Sequence, residues 1–126
     1  MATSVKQLIA DANQSVPLIA PDEAQKIMGS NDALIVDVRD PSEVAASGKL
    51  KGAVNVSRGM LEFRADPESP FHDKNFRKDR TVIVYCGTGG RSALAGKALQ
   101  DLGYSDVRNL GGFKDATEKG LATEQA

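Results

Sequence analysis

Two stretches of the chain, residues 34–38 and residues 81–85, are apolar at nearly every successive position. A strand with one solvated face alternates apolar and polar residues, whereas an unbroken apolar run is typical of a parallel strand that helices cover on both faces. Helical patterns separate the predicted strands along the chain. We therefore predict an α/β domain with a mostly parallel central sheet and helices on both faces.

The predicted strands and helices alternate along the chain. Strands are predicted at 16–19, 34–38, 53–56, 81–85 and 107–110, the first at a sheet edge because Pro17 lacks an N–H. Helices are predicted at 5–12, 21–29, 41–46, 92–102 and 113–119, with one or two helical turns at 59–64. Phe71 and Phe76 are expected to hold the long loop 65–79 against the body, and residues 123–126 are expected to fray.

Composition and charge exclude several functional classes. Hydrophobic residues make up 40% and charged residues 26% of the 126 residues, which is ordinary for one globular domain. We expect a single domain, 1–126, with its core at about residues 16–120 and a peripheral N-terminal helix and C-terminal tail. The formal net charge of −1 provides no basic excess, so neither a nucleic acid nor a membrane is an expected partner.

The cellular compartment is predicted from the cysteine content and the N-terminus. The N-terminal residues show no signal-peptide pattern, and no apolar stretch is long enough to span a bilayer. One cysteine and one histidine make neither an internal disulfide nor a zinc site, so no metal is expected. A free thiol is typical of a reducing compartment, and we expect a cytoplasmic protein.

The only cysteine, Cys86, follows the second apolar run and precedes a glycine-rich turn into a helix. The thiolate is the reactive form of cysteine, and N–H groups at a helix N-terminus or a nearby guanidinium favour its negative charge. Glycine tolerates a positive φ, which lets such a turn direct its N–H groups inward. The residues expected to surround the sulfur are Gly87, Thr88, Gly89, Gly90, Arg91 and Ser92.

Cys86 also has a structural interpretation, because free cysteines often serve as small buried hydrophobic residues. Three glycines, an arginine and a helix start within six residues favour an activated nucleophile instead. A nucleotide-binding loop is a weak alternative, since the turn has no lysine at the phosphate-loop position and no G-x-G-x-x-G pattern.

The spacing between Cys86 and Arg91 separates two classes of thiol enzyme. Thiol phosphatases and sulfurtransferases both place a cysteine in a loop of this kind, but the phosphatase signature has one more residue before the arginine than the four present here. A phosphate needs several N–H groups and an arginine for its oxygens. A shorter loop makes a tighter ring of donors around a smaller guest, and the spacing therefore favours a single terminal sulfur atom over phosphate.

Further motifs accompany the cysteine loop in a specific order: Leu34-Ile35-Val36-Asp37-Val38-Arg39 with Glu43, Gly52-Ala53-Val54-Asn55-Val56, Val82-Ile83-Val84-Tyr85-Cys86, Gly90-Arg91-Ser92, Leu99 with Gly103-Tyr104, and Leu110-Gly111-Gly112-Phe113. Over about residues 18–115 the sequence resembles a single-domain rhodanese, a thiosulfate sulfurtransferase. It departs from that pattern at residues 48–51, where the family often has Gly-His-Ile-Pro, and near Ala116, where the family often has a tryptophan.

The resemblance implies a rhodanese-like three-layer domain with a five-stranded parallel sheet and no cofactor. It implies that Cys86 takes a sulfur atom from a small anion such as thiosulfate, that N–H groups from Gly87 to Ser92 hold the resulting persulfide, and that cyanide or a thiol accepts the sulfur. Such covalent catalysis predicts ping-pong kinetics. A small thiol or a sulfur-acceptor protein is the expected partner. The alternatives are a noncatalytic sulfur carrier and, with less support, a small cysteine phosphatase or an arsenate reductase.

Three further residues are predicted to assist the cysteine loop. Asp37 and Arg39 are expected at the same strand edge. The resemblance implies that they support the site, with Arg39 pairing with Glu43 or Asp37 and Asp37 orienting the loop; the alternative is a surface ion pair of little value. Arg58 follows the third predicted strand and is a candidate anion ligand, although an exposed arginine is an equal alternative. His72 lies in the loose loop and is interpreted as a solvated side chain rather than a base.

Overall fold

A parallel sheet of four strands forms the centre of the described part of the chain, residues 2–30 and 33–126, in this computed structural model. Across the sheet the strands are β3 (Val54–Asn55), β1 (Ala33–Asp37), β4 (Thr81–Cys86) and β5 (Val107–Gly112). Each of the three neighbouring pairs is parallel, so the carboxyl ends of all four strands meet at one edge. The α/β fold class and the mostly parallel sheet are confirmed.

The helices lie on both faces of this sheet, as the unbroken apolar runs predicted. They are α1 (Val5–Ser15), α2 (Pro21–Gly29), α3 (Pro41–Ser47), α4 (Leu61–Ala65), α5 (Gly90–Asp101) and α6 (Phe113–Glu118), with a 3₁₀ turn at Arg58–Met60. None of the helices among the described residues is both long enough and apolar enough to cross a membrane.

Side-chain alternation along the central strands creates a core on each face. Val82, Val84 and Cys86 of β4 point to the face that contains α5, where they pack in a cluster with Ala95 and Leu99. Ile83 and Tyr85 point to the opposite face, in a second cluster that also contains Ala24 of α2, Ala116 of α6 and Leu121. The alternation therefore fixes which face of the sheet receives the thiol.

The predicted first strand is only an isolated bridge, so the expected five-stranded sheet is wrong by one strand. Leu18 pairs with Asn109 beside β5, through Ile19 N–H to Asn109 C=O (3.0 Å) and Asn109 N–H to Pro17 C=O (2.8 Å). Pro17 has no N–H to donate, and Pro21 starts α2 immediately after this segment. The segment therefore has no room for a longer ladder.

The C-terminal residues also differ from prediction. Thr123–Glu124 form a short strand, β6, which pairs antiparallel with β2 (Lys49–Leu50), so these residues do not fray as expected. Lys51 N–H donates to Ala122 C=O at 2.9 Å, and Lys49 forms an ion pair with Glu124. The tail therefore contacts a segment far earlier in the chain, and 75 residues separate Lys49 from Glu124.

The long loop between α4 and β4 is held at one of its two predicted points. Phe76 is 1% exposed and contacts Tyr104 edge to face at 6.4 Å, as expected of an anchor. Phe71 is 56% exposed and meets the equally exposed ring of Phe63 at the surface, so its predicted anchoring role is wrong.

Candidate active site

Cys86 is the last residue of β4 and lies at the carboxyl edge of the sheet, where the sequence placed it. Its side chain is 1% exposed because β4 is an inner strand and α5 covers this face. The turn that follows leads directly into α5, whose first residue is Gly90. The thiol therefore sits beneath the N-terminus of a twelve-residue helix, 90–101.

Backbone N–H groups of the loop point at the sulfur. The N–H of Gly89 lies 3.0 Å and the N–H of Ser92 3.4 Å from Cys86 Sγ. Gly89 has φ +105°, a conformation that glycine adopts without a steric penalty, and it turns the loop over the thiol. Burial raises the pKa of Cys86, while hydrogen bonds from the backbone N–H groups of Ser92, Gly89 and Thr88 lower it, and the pKa lies below its usual value.

The end of β5 packs closely against the same loop. A Cβ atom on Gly112 would lie 2.7 Å from the carbonyl oxygen of Gly87 and 3.4 Å from Thr88 Cα. Only glycine fits at that position without displacing the loop. Gly112, the second glycine of the pair predicted to follow the last strand, instead ends β5 and packs directly against the cysteine turn.

Arg91 forms a two-point ion pair with Glu43 of α3. Its Nη1 lies 2.6 Å from Glu43 Oε1 and its Nη2 3.0 Å from Oε2, with both side chains partly exposed. This guanidinium lowers the pKa of Glu43 to about 2. The pair ties α3 to the start of α5 beside Gly87, and the direct contact of Arg91 with a bound persulfide stays a prediction.

Asp37 and Arg39 form a buried pair, 0% and 4% exposed, rather than a surface one. Arg39 Nε and Nη2 donate to the Asp37 carboxylate at 2.7–3.1 Å. Nη1 also donates to Ser47 Oγ, and Nη2 to Gly48 C=O. Of the two predicted partners of Arg39, the structure selects Asp37. The pair supports the backbone under α3, and a direct effect of Asp37 on the cysteine loop stays a prediction.

Arg58 lies away from the cysteine loop. Its Nη1 donates to Glu62 Oε1 at 2.8 Å, and its side chain lines a groove between α1, α4 and α5. The grooves beside Cys86 are lined by other residues. Its role as an anion ligand stays a prediction, and that role would require the side chain to move away from Glu62.

Asn109 is a site residue that sequence reasoning missed. It is 2% exposed in β5, and its Oδ1 lies 2.7 Å from Ser92 Oγ and 2.9 Å from the N–H of Gly111. Ser92 Oγ in turn lies 3.4 Å from Cys86 Sγ. The signal was an amide residue in the middle of the predicted last strand, two residues before a glycine pair, where a buried polar group requires partners.

Two open grooves flank the cysteine loop. One, of about 580 Å³, runs between Gly87–Thr88, the end of β5 and α6, and carries the charged residues Lys114, Asp115 and Glu118. The other, of about 400 Å³, runs between the loop and α1, where Ile9 and Asn13 line it. Within residues 2–30 and 33–126 no cluster of three or more histidine, cysteine or acidic side chains is arranged to hold a metal ion.

Known proteins are similar to this chain in sequence and fold. A family model described as Rhodanese-like domain matches residues 20–119. A sulfurtransferase of Allochromatium vinosum is 35% identical over 89 residues, which cover 71% of this chain and 75% of that protein. A thiosulfate sulfurtransferase of Escherichia coli is 36% identical over 80 residues, which cover 64% of this chain and 70% of that protein.

A solved structure from Rhodopseudomonas palustris is similar to nearly the whole chain. It superimposes with a TM-score of 0.90 at 37% identity and covers 98% of this chain and 96% of its own. That protein is described as one of unknown function and a possible tyrosine phosphatase.

Proposed function

The chain belongs to the rhodanese family, and we propose that it is a sulfurtransferase that carries sulfur on Cys86. The donor is thiosulfate or a persulfide, and the acceptor is cyanide, a small thiol or a sulfur-acceptor protein. The observation that carries the proposal is the position of Cys86 Sγ, at 3.0 Å and 3.4 Å from two N–H groups in a turn at a helix N-terminus. The single free thiol also favours a reducing compartment such as the cytoplasm.

The proposed reaction has two covalent steps. The Cys86 thiolate attacks the outer sulfur of thiosulfate, a new S–S bond forms, and the old one breaks with its electron pair leaving on sulfite. The product is a cysteine persulfide with its charge on the outer sulfur. Cyanide or a thiolate then attacks that outer sulfur, and the electron pair of the broken S–S bond returns to Cys86 as thiolate. Electrons balance in each step without a cofactor, and ping-pong kinetics follow.

The protein's contribution is to stabilise negative charge at and just beyond Sγ. N–H groups aimed at the sulfur stabilise the attacking thiolate. In the proposal, the remaining N–H groups of the same turn bind the outer sulfur of the persulfide. Burial of the thiol excludes water and large reagents from it. These features support a small sulfur-containing anion as the donor.

Phosphate chemistry has less support in this geometry. The loop between Cys86 and Arg91 holds four residues. Arg91, the cation that would neutralise a phosphate, is engaged by both oxygens of Glu43. We therefore place hydrolysis of an aryl phosphate, and arsenate reduction, below sulfur transfer for this chain.

The test is thiocyanate formation from thiosulfate and cyanide by the purified protein. We expect turnover by the native chain and none above background by Cys86→Ser, which removes the nucleophile. Equal rates for the two proteins would overturn the proposal. Intact-mass measurement after thiosulfate treatment provides a second readout, with one added sulfur atom that cyanide removes and that Cys86→Ser never acquires.

Two results would redirect the assignment. Labile sulfur on Cys86 together with negligible turnover would support the noncatalytic carrier, a module loaded by a partner. Hydrolysis of an aryl phosphate that depends on Cys86 would support the phosphatase alternative. Both measurements use the same two proteins, so they separate the three functions directly.

A further inference from the structure

Ser92 Oγ stands at the centre of a buried polar chain between β4, α5 and β5. It lies 3.4 Å from Cys86 Sγ, 2.7 Å from Asn109 Oδ1 and 3.1 Å from the carbonyl oxygen of Gly89. A hydroxyl has a single proton, so it can donate to one of these three atoms at a time. Which atom receives the proton decides how Ser92 acts on the sulfur.

The backbone N–H of Gly111 determines the orientation of the Asn109 side-chain amide. The N–H of Gly111 lies 2.9 Å from Asn109 Oδ1, which identifies that atom as the carbonyl oxygen, an acceptor only. The 2.7 Å contact from Oδ1 to Ser92 Oγ is therefore a hydrogen bond in which the hydroxyl donates. If the proton pointed elsewhere, lone pairs of two oxygens would face each other at that short distance.

We propose that Asn109 is a positioning residue that holds the proton of the Ser92 hydroxyl, so that Ser92 presents its lone pairs to Cys86. In this arrangement Ser92 accepts the proton of the neutral thiol and does not donate to the thiolate. The backbone N–H groups of Gly89 and Ser92 remain the donors to the sulfur. Asn109 thereby makes Cys86 harder to ionise than the turn alone would make it.

The charged groups near the sulfur do not account for the effect that we assign to Asn109 on the ionisation of Cys86. Arg91 at the start of α5 favours the thiolate electrostatically, but its guanidinium is paired with Glu43 of α3. The α6 side of the loop contributes charges of both signs, Lys114, Asp115 and Glu118. On the α1 side, the described groove residues Ile9, Asn13 and Leu18 do not ionise.

The proposal concerns the ionisation of Cys86 and rests on the proposed function only for its catalytic consequence. A larger neutral fraction of the thiol lowers its reactivity towards alkylating and oxidising agents. The N–H groups still favour the thiolate, so Asn109 limits the ionisation of Cys86 without preventing it. Asn109 would thus restrain the nucleophile without touching the substrate.

The test measures the pKa of Cys86 without any sulfur transfer. The readouts are the pH dependence of iodoacetamide alkylation and the ultraviolet absorbance of the thiolate, each corrected with Cys86→Ser. With a single cysteine, the signal has one source. Burial also raises the pKa of Tyr85 and Tyr104, which keeps phenolate absorbance out of the titration range.

A double-mutant cycle separates the proposal from its alternative. Ser92→Ala in the native background is expected to leave the pKa of Cys86 unchanged or lower it. Asn109→Ala frees the hydroxyl to donate to the thiolate and is expected to lower the pKa by about one unit. Ser92→Ala added to Asn109→Ala is then expected to raise it again by about one unit. Ser105→Ala, at an exposed serine, is the matched control and should change nothing.

A rise in pKa from Ser92→Ala in the native background would overturn the proposal, because it would mean that the hydroxyl already donates to the thiolate. The same effect of Ser92→Ala in both backgrounds would overturn it as well. Asn109→Ala leaves the Gly111 N–H unpaired, and if that variant does not fold, Asn109→Asp retains an oxygen for both contacts. In the Asn109→Asp background, the proposal requires that adding Ser92→Ala again causes no rise in the pKa of Cys86.

Discussion

At the scale of single residues, the shape of the cysteine turn depends on two glycines that have no side chain. Gly112 has no Cβ at a place where one would lie 2.7 Å from the carbonyl oxygen of Gly87. Gly89 adopts a φ of +105° directly above the thiol. Both residues allow the backbone N–H groups to approach the sulfur, so the chemistry of Cys86 depends on its neighbours' lack of side chains.

Gly112→Ala is expected to lower both the rate of sulfur transfer and the stability. The new methyl group pushes Gly87 and Thr88 away from β5, at a cost of about 1–3 kcal/mol in the free energy of unfolding. A displacement of the donors by about 1 Å is expected to lower the rate of thiocyanate formation by up to about 100-fold. Urea unfolding and the thiosulfate–cyanide assay measure the two effects.

Gly29→Ala is the matched control for this substitution. No atom lies within 4 Å of the Cβ position at Gly29, which ends α2 far along the chain from the cysteine turn. Its activity should equal that of the native chain. Full activity of Gly112→Ala would contradict the proposed role of the close packing between β5 and the turn.

At the scale of elements, one arginine joins the end of β1 to α3 and α6. Arg39 pairs with Asp37 at the carboxyl end of β1 and donates to Gly48 C=O, just after α3, at 2.7 Å. Its guanidinium carbon lies 4.3 Å from the ring centroid of Phe113, at the start of α6. The edge of the sheet that carries Cys86 is therefore held together by a buried cation.

Arg39→Ala is expected to lower the free energy of unfolding by about 3–5 kcal/mol, because it leaves the fully buried carboxylate of Asp37 without its partner. Urea unfolding at neutral pH measures the loss. Arg108→Ala is the control, since it removes an arginine from the more exposed pair with Asp106 and should cost about 1 kcal/mol or less. Equal losses in the two variants would show that burial of the Asp37 pair has no energetic role.

At the scale of the whole molecule, the sheet separates two cores, and the end of the chain completes one of them. Leu121 is 4% exposed and belongs to the core on the face of α2 and α6, together with Leu50. Residues 123 and 124 then pair with β2, but all of residues 122–126 are exposed. The last buried contribution to the fold therefore ends at Leu121.

Leu121→Ala and the deletion of residues 123–126 should differ widely in their effect on the free energy of unfolding. Leu121→Ala is expected to lower the free energy of unfolding by about 2–5 kcal/mol, because it empties part of a closed core. Deletion of residues 123–126 removes a two-residue ladder and an exposed ion pair, and we expect a cost of about 1 kcal/mol or less. The midpoints of urea unfolding compare the two, and a larger loss from the deletion would assign the tail a structural role that its exposure does not indicate.

Local patterns were enough to predict the four strands of the central sheet, the order of the helices and the position of the thiol. Two unbroken apolar runs predicted inner parallel strands, and β1 and β4 occupy the middle of the sheet. Alternation along a strand, helix starts at proline or glycine, and glycine's tolerance of positive φ each depend on residues close together in sequence. Cys86 at a carboxyl edge beneath a helix N-terminus follows from those local rules alone.

The partners of the polar side chains were decided only by the tertiary structure. Arg91 meets Glu43 across 48 residues and Ser92 meets Asn109 across 17, and no spacing in the sequence marks either pair. The predicted first strand is only one bridge, and the C-terminal residues pair with β2. Both differences have the same reason, because pairing at a sheet edge depends on which backbone groups the packed molecule leaves available. The sequence by itself determined where the nucleophile lies, and long-range packing decided which groups control its proton, because hydrogen-bond partners are set by distance in space rather than along the chain.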